Sequence, residues 1–112
     1  WAATSDARLK ENVAPYTDGL QQLLGINPVK YNYNTQSGYN TQKQYIGVLA
    51  QDLQKTAPYM VSSFTKDNTE YLSVDNSAMT YMLINAVKEQ QKEIEELKKL
   101  VKELLANGIQ KK

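Results

Sequence analysis

From position 83 onward the apolar residues of this chain keep a seven-residue rhythm, the signature of a helix that holds one seam toward a partner. Val87, Ile94 and Val101 fall at heptad position a, and Leu83, Leu97 and Leu104 at d, with Gln90 the polar member of the d set. With Asp75 as cap and Asn107 and Gly108 as stop, the helix runs for about 31 residues and roughly 46 Å. A chain of 112 residues cannot cover that length with its own small core, so part of the helix must project. Met79, Met82, Leu83 and Ile84 near its start suit packing on the domain itself. Beyond Lys88 the seam calls for other copies of the helix.

The number of copies is set by two signals that disagree. β-Branched residues at a with Leu at d favour two strands. Leu100 at g and Leu105 at e widen the stripe in the direction of three or more, and tip the reading to a trimer. Glu93 at g and Lys98 at the next e are placed to pair between helices, and Glu95 with Lys99 within one.

The residues before the helix change period several times. "TDGLQQLLGINP" reads as a short helix, with Asp18 and Gln21 as a capping box, Leu20, Leu23 and Leu24 on one face, and Gly25 and Pro28 ending it. "PVKYNYNT" alternates Val29, Tyr31 and Tyr33 with polar residues, a half-buried strand pattern. "QYIGVLA" follows a polar connection and is expected to pair with it as a hairpin. "AQDLQKTAP" is a second short helix with Leu49, Leu53 and Ala57 at four-residue spacing, and "EYLSV" a third strand after the turn-like "KDN". The fold class is therefore α+β: a small antiparallel sheet with short helices, followed by a long C-terminal helix that forms a coiled coil. Residues 1–4 precede this unit, 5–75 form its core, and 76–112 the helix.

Composition limits the chemistry. There is no cysteine and no histidine, which removes thiol catalysis, the commonest general base and most metal-ligand sets. Thirteen basic against twelve acidic residues give no electrostatic case for nucleic acid. No apolar run approaches the ~18–20 residues of a membrane helix, and the mean hydropathy is −0.59. No cofactor, metal, nucleic acid or membrane is expected as a partner. Catalysis, if any, must use Ser, Thr, Lys, Tyr or carboxylates.

One stretch offers such groups: "SDARLKEN", residues 5–12. A serine hydroxyl becomes nucleophilic when a base takes its proton, and a lysine serves as that base if desolvation keeps its amine neutral. Ser5 and Lys10 are five residues apart, which separates them by about 140° on a helix and puts them on opposite faces of a strand. Only a bend, or a second subunit, brings them together. The plain reading stands beside this one: Ser5 or Asp6 caps a helical turn and Lys10 is a solvated charge. A second stretch, "YNYNTQSGYNTQKQY", reads either as a polar hairpin that packs on a neighbour or as an aromatic surface that stacks sugars or single strands.

These segments resemble the C-terminal intramolecular chaperone domain of bacteriophage tailspikes, tail fibres and neck appendages, the endosialidase type, also found in the myelin regulatory factor family. "SDARLKEN" is similar to that family's Ser-Asp-x-Arg-Leu-Lys-x-Asn signature, "INPVKYNY" to its first strand, and "IGVLAQDLQK" to its Gly-x-x-Ala-Gln-Glu segment. "YLSVDNSAMTYMLINAVKEQQKEIEELKK" is similar to its last strand and coiled-coil helix. Asp52 stands for the usual Glu and Val13 for the more frequent Ile.

The resemblance implies a homotrimer that holds three copies of an upstream fibre region in register and then cuts itself free before the signature serine. Carried over, the scissile bond joins Thr4 to Ser5, Ser5 is the nucleophile and Lys10 the base of a single-turnover serine peptidase, and residues 1–4 are the remnant of the fibre. Asp6, Arg8 and Asn12 are its supporting residues, with Arg8 and Asn12 orienting the bend or polarising the carbonyl. Leu83, Val87, Gln90, Ile94, Leu97, Val101 and Leu104 join the subunits. The place of action is the host cytoplasm during virion assembly, and the domain is absent from the mature particle. Two other readings stay open: a trimerisation cap that never cuts, and a binding domain anchored by its coil.

Overall fold

The computed structural model describes residues 2–110, so Trp1, in the segment expected to be an upstream remnant, and Lys111 and Lys112, in the segment expected to end the helix, lie outside the described residues. In order, a single 3-10 turn at Ala7–Leu9 leads into a long extended stretch, then helix α1 (Leu20–Leu24), strand β1 (Val29–Asn32), strand β2 (Gln44–Gly47) and helix α2 (Ala50–Thr56). A second 3-10 turn at Pro58–Met60, strands β3 (Val61–Lys66) and β4 (Thr69–Val74), and helix α3 (Met79–Gln110) complete the chain.

The strands form two separate antiparallel hairpins, β1 with β2 and β3 with β4, where the sequence suggests one small sheet of three strands. In the first hairpin Tyr31 faces Tyr45 and Val29 faces Gly47. The alternation read from the sequence holds, since Val29 and Tyr31 are half-buried while Lys30 and Asn32 face water. β3 was not expected: "VSSFTK" mixes polar and apolar residues on both faces. Its partner register, Lys66 opposite Thr69, leaves Asp67 and Asn68 as a two-residue loop, both in the left-handed region at φ 52° and 63°. That is the backbone a tight hairpin turn demands, and Asp and Asn tolerate it better than most side chains.

The core is small. Leu53, Ala57, Met60 and Met82 are buried, and Leu23, Ile26, Val48, Val61, Val74, Ala78 and Met79 pack around them. Leu49, expected on the buried face of α2, sits at its N-cap and is mostly exposed, as is Leu24 in α1. Helix α1 begins at Gly19, whose N–H donates to Gln22 Oε1 at 2.9 Å, not at the Asp18–Gln21 box that the sequence suggests. Asp18 is used elsewhere: its Oδ2 accepts from Tyr59 Oη at 2.7 Å.

Helix α3 starts later and ends later than its sequence signals imply. Asp75 folds back on Ser77, whose N–H donates to Asp75 Oδ1 at 3.0 Å, and this turn delays the first helical residue to Met79. Neither Asn107 nor Gly108 stops the helix. A Gly in a helix costs only about 1 kcal/mol against Ala, and no proline follows to enforce an end. The Glu95–Lys99 pair does not form; Glu95 Oε1 accepts from Gln91 Nε2 at 2.7 Å instead. The molecule measures 75 × 42 × 27 Å with a radius of gyration of 21.5 Å, against about 13 Å for a compact chain of this length. The excess is the free length of α3.

Candidate active site

The turn at Ala7–Leu9 is built by Asp6. Its backbone is extended (φ −68°, ψ 127°) and its Oδ1 accepts from the Arg8 N–H at 2.9 Å, the usual way a short carboxylate satisfies an orphan donor at a helical N-terminus. Leu9 N–H donates to Asp6 O at 3.0 Å and Lys10 N–H to Ala7 O at 3.2 Å, closing the turn. One helical turn between extended residues reverses the chain enough to solve the spacing problem. Lys10 Nζ donates to Ser5 Oγ at 2.7 Å. The cap of the plain reading is present at Asp6, and the capped turn also brings Lys10 within hydrogen-bond distance of Ser5.

Arg8 and Asn12 find structural places too. Arg8 Nε donates to Asp6 Oδ1 at 3.1 Å and Nη2 to Asp6 Oδ2 at 2.7 Å, a two-point contact that suits the planar guanidinium. The side-chain and backbone hydrogen bonds from Arg8 hold the Asp6 carboxyl below its ordinary range, and the same contact raises Arg8. The charge of Arg8 is thus matched by Asp6 within the turn. Asn12 adopts φ 55°, a left-handed conformation that Asn enters more readily than most residues, and it redirects the chain immediately after Glu11.

This whole segment is open to water in the single chain: residues 2–17 are exposed, Leu9 by 75% and Val13 by 78%. The first firm attachment downstream is to α3. Asn85 Nδ2 donates to Tyr16 O at 2.8 Å and to Asp18 O at 2.9 Å, and Glu89 Oε2 accepts from the Leu20 N–H at 3.0 Å. The phenols of Tyr16 and Tyr59 hydrogen-bond to each other, with Tyr59 also donating to Asp18. Partial burial first, and these two bonds second, keep the Tyr59 phenol above its ordinary range. Sequence reasoning passed over Asn85 and Glu89. The only signal was an asparagine inside a helix, where it is a poor former.

The heptad residues have no cover. Leu83, Val87, Ile94, Leu97, Val101 and Leu104 are between 45% and 69% exposed, and Gln90 between them is exposed as well. The tyrosines of the polar run pack on one another. Tyr31 stacks on Tyr45 at 5.7 Å, Tyr33 meets Tyr45 edge-on at 5.2 Å, and Tyr39 covers Tyr33 at 4.7 Å. Tyr31, Tyr33 and Tyr39 also line a cleft of about 580 Å³ between the two hairpins, and Tyr39 stays mostly exposed.

With that geometry in hand, comparison with known proteins is decisive. The sequence model of the family described as chaperone of endosialidase, labelled a peptidase family, matches residues 5–62. The chain belongs to the endosialidase-chaperone family. The match begins at Ser5 and takes in the capped turn, both short helices and the first hairpin. The long tail fiber protein Gp37 of Enterobacteria phage M1 is 33% identical over 109 residues, 96% of this chain and 43% of that protein. The Gp37 of Enterobacteria phage Ox2 is 34% identical over 96 residues, 84% of this chain and 38% of that protein. The chain therefore spans less than half the length of these curated relatives.

Proposed function

We propose that this chaperone joins three copies of a phage fibre through α3, sets their upstream regions in register, and then cuts the Thr4–Ser5 bond to release itself. The observation that carries the reading is the 2.7 Å contact between Lys10 Nζ and Ser5 Oγ. With the amine neutral the contact runs the other way, and Ser5 Oγ–H gives its proton to Lys10. The oxygen then attacks the Thr4 carbonyl carbon, on its own chain or on a neighbour's. The C–N bond to the departing Ser5 nitrogen breaks, Lys10 returns the proton to that nitrogen, and an ester remains on the attacking Oγ. Water opens the ester, leaving a Thr4 carboxylate and a free Ser5 hydroxyl. No cofactor enters the scheme.

The pair is exposed in the isolated chain, and a lysine serves as a base where desolvation favours its neutral form. Assembly has to dry it. Exposed Leu9 and Val13 flank the pair and provide the apolar surface a neighbouring subunit would cover. This arrangement delays cutting until the copies have met. The order suits a long β-structured fibre, whose non-local pairings are slow to close. A coil raises the effective concentration of the chains first, and removing it afterwards leaves the product kinetically trapped. The work is done in the host cytoplasm during virion assembly, and the released domain does not stay with the particle.

Exposure of the pair favours one second reading, a cap that joins the chains and never cuts. Expressing the domain with its native upstream region and comparing intact masses of wild type, Ser5→Ala and Lys10→Ala decides. Cutting after Thr4 in the wild type alone is the expected result. Cutting in both variants would rule out the pair, and an intact wild type would leave the cap.

A further inference from the structure

We infer that Asn85 and Glu89 are positioning residues that tie the cleavage turn to the oligomerising helix, so that assembly of α3 sets where Ser5 and Lys10 stand. The inference rests on the self-cleavage reading above and adds its means of control. Between Ala2 and Thr17 every residue is exposed, and among the described residues the hydrogen bonds of residues 5–10 are all made within that stretch. The chain that carries the pair is therefore held from its downstream end, at residues 16–20. Two side chains of α3 do most of the holding. Asn85 grips the backbone at two points two residues apart, the Tyr16 and Asp18 carbonyls, and Glu89 takes the Leu20 N–H.

Gly19, between these contacts, is buried. A Cβ there would collide with Glu89 Oε1 and come within 3.1 Å of Asn85 Cβ, so the backbone lies directly against the helix. Tyr59 closes the far side through Asp18 and Tyr16.

The placement of these residues on the helix gives the tie its meaning. At about 100° per residue, Asn85 lies roughly 160° around the axis from both Leu83 and Val87. The same two turns of α3 thus present a seam residue on one side and the grip on the other. Any rotation or shift of the helix as its seam closes is passed to residues 16–20, and through the short connection 11–15, with Pro15 limiting its freedom, to the turn. Misplacing reacting groups by an ångström through a remote contact is enough to slow a reaction by orders of magnitude.

The test uses the chain with its native upstream region, following cut fraction by intact mass over time, chain number by sedimentation, and amide exchange across residues 5–20. Asn85→Ala and Glu89→Ala should sediment as wild type, cut roughly ten- to a hundredfold more slowly, and exchange the Leu20 amide faster. Glu89→Gln keeps an oxygen for that amide and should restore cutting. Gln91→Ala, which breaks a hydrogen bond on the same helix away from the grip, should cut at the wild-type rate. Wild-type cutting in Asn85→Ala and Glu89→Ala, or equal slowing in Glu89→Gln and Gln91→Ala, would overturn the proposal. If wild type itself stays intact, the peptidase reading fails separately. The grip is then judged by exchange alone, and an unchanged Leu20 amide in both alanine variants would refute it.

Discussion

Residues 79–89 and 90–108 of α3 form one unbroken helix with one heptad rhythm, yet they live in different surroundings. In the first part Met82 and Ala86 are buried, and Asn85 and Glu89 are bonded to the chain beneath. In the second every residue is exposed, including Ile94, Leu97, Leu100 and Leu104. Periodicity alone does not separate the two, because a stripe that faces a core and a stripe that faces a sister helix look alike in sequence. The difference lies in what is available to cover them. The small α+β core reaches the first three turns and no further, and each bare Leu, Ile or Val stands to gain up to about 1.5–3 kcal/mol on full burial. Nineteen residues of helix with neither a core nor a partner are only a little longer than the roughly 12–15 below which an isolated helix is marginal in water.

The comparison is tested hardest by cutting into each part separately. Met82 is 0% exposed, and Met82→Ala should remove about 2–5 kcal/mol from the folding of the core, read by denaturant unfolding and visible whatever the chain number. Ile94→Lys with Val101→Lys should leave that unfolding transition in place while sedimentation falls to a single chain and helical circular dichroism drops. A double variant that unfolded the core as well would mean that the second part of α3 is not independent of it. A double variant that stayed oligomeric would place the seam elsewhere.

Much of this division could be read from the sequence, and the failures have physical reasons. The heptad run was legible because six apolar residues on one face, interrupted only by Gln90, are hard to produce by accident. The β1 alternation was legible because Val29 and Tyr31 face one side and Lys30 and Asn32 the other. β3 was not, since Ser62, Ser63 and Thr65 blur its faces, and its better signal was the Asp67–Asn68 pair that the hairpin turn requires. The approach of Ser5 to Lys10 was legible as a pair of residue types but not as a geometry: spacing rules apply to regular helices and strands, and the structure uses a single capped turn. Asn85 and Glu89 carried least signal of all, because their partners are backbone atoms, which every residue has.

The smallest effects sharpen the comparison most, because the same substitution should change sign between the two parts. At Gly19 a methyl group would press on Glu89 and on Asn85 Cβ; the carboxylate end can swing away, but Asn85 Cβ is fixed to the helix backbone. Gly19→Ala should therefore cost about 1–3 kcal/mol of core stability, as overpacking does, and loosen the grip on the chain that leads to Ser5. At Gly108 an added Cβ meets nothing within 4 Å, and the residue is helical. Gly108→Ala should stabilise its end of α3 by up to about 1 kcal/mol, less where the terminus frays, with no change in the unfolding of the core. Slower amide exchange near residue 108, together with an unchanged core transition, is the expected result. A stabilised core would show that the far end of α3 touches it after all, and the division between a built-in half and a free half would have to be redrawn.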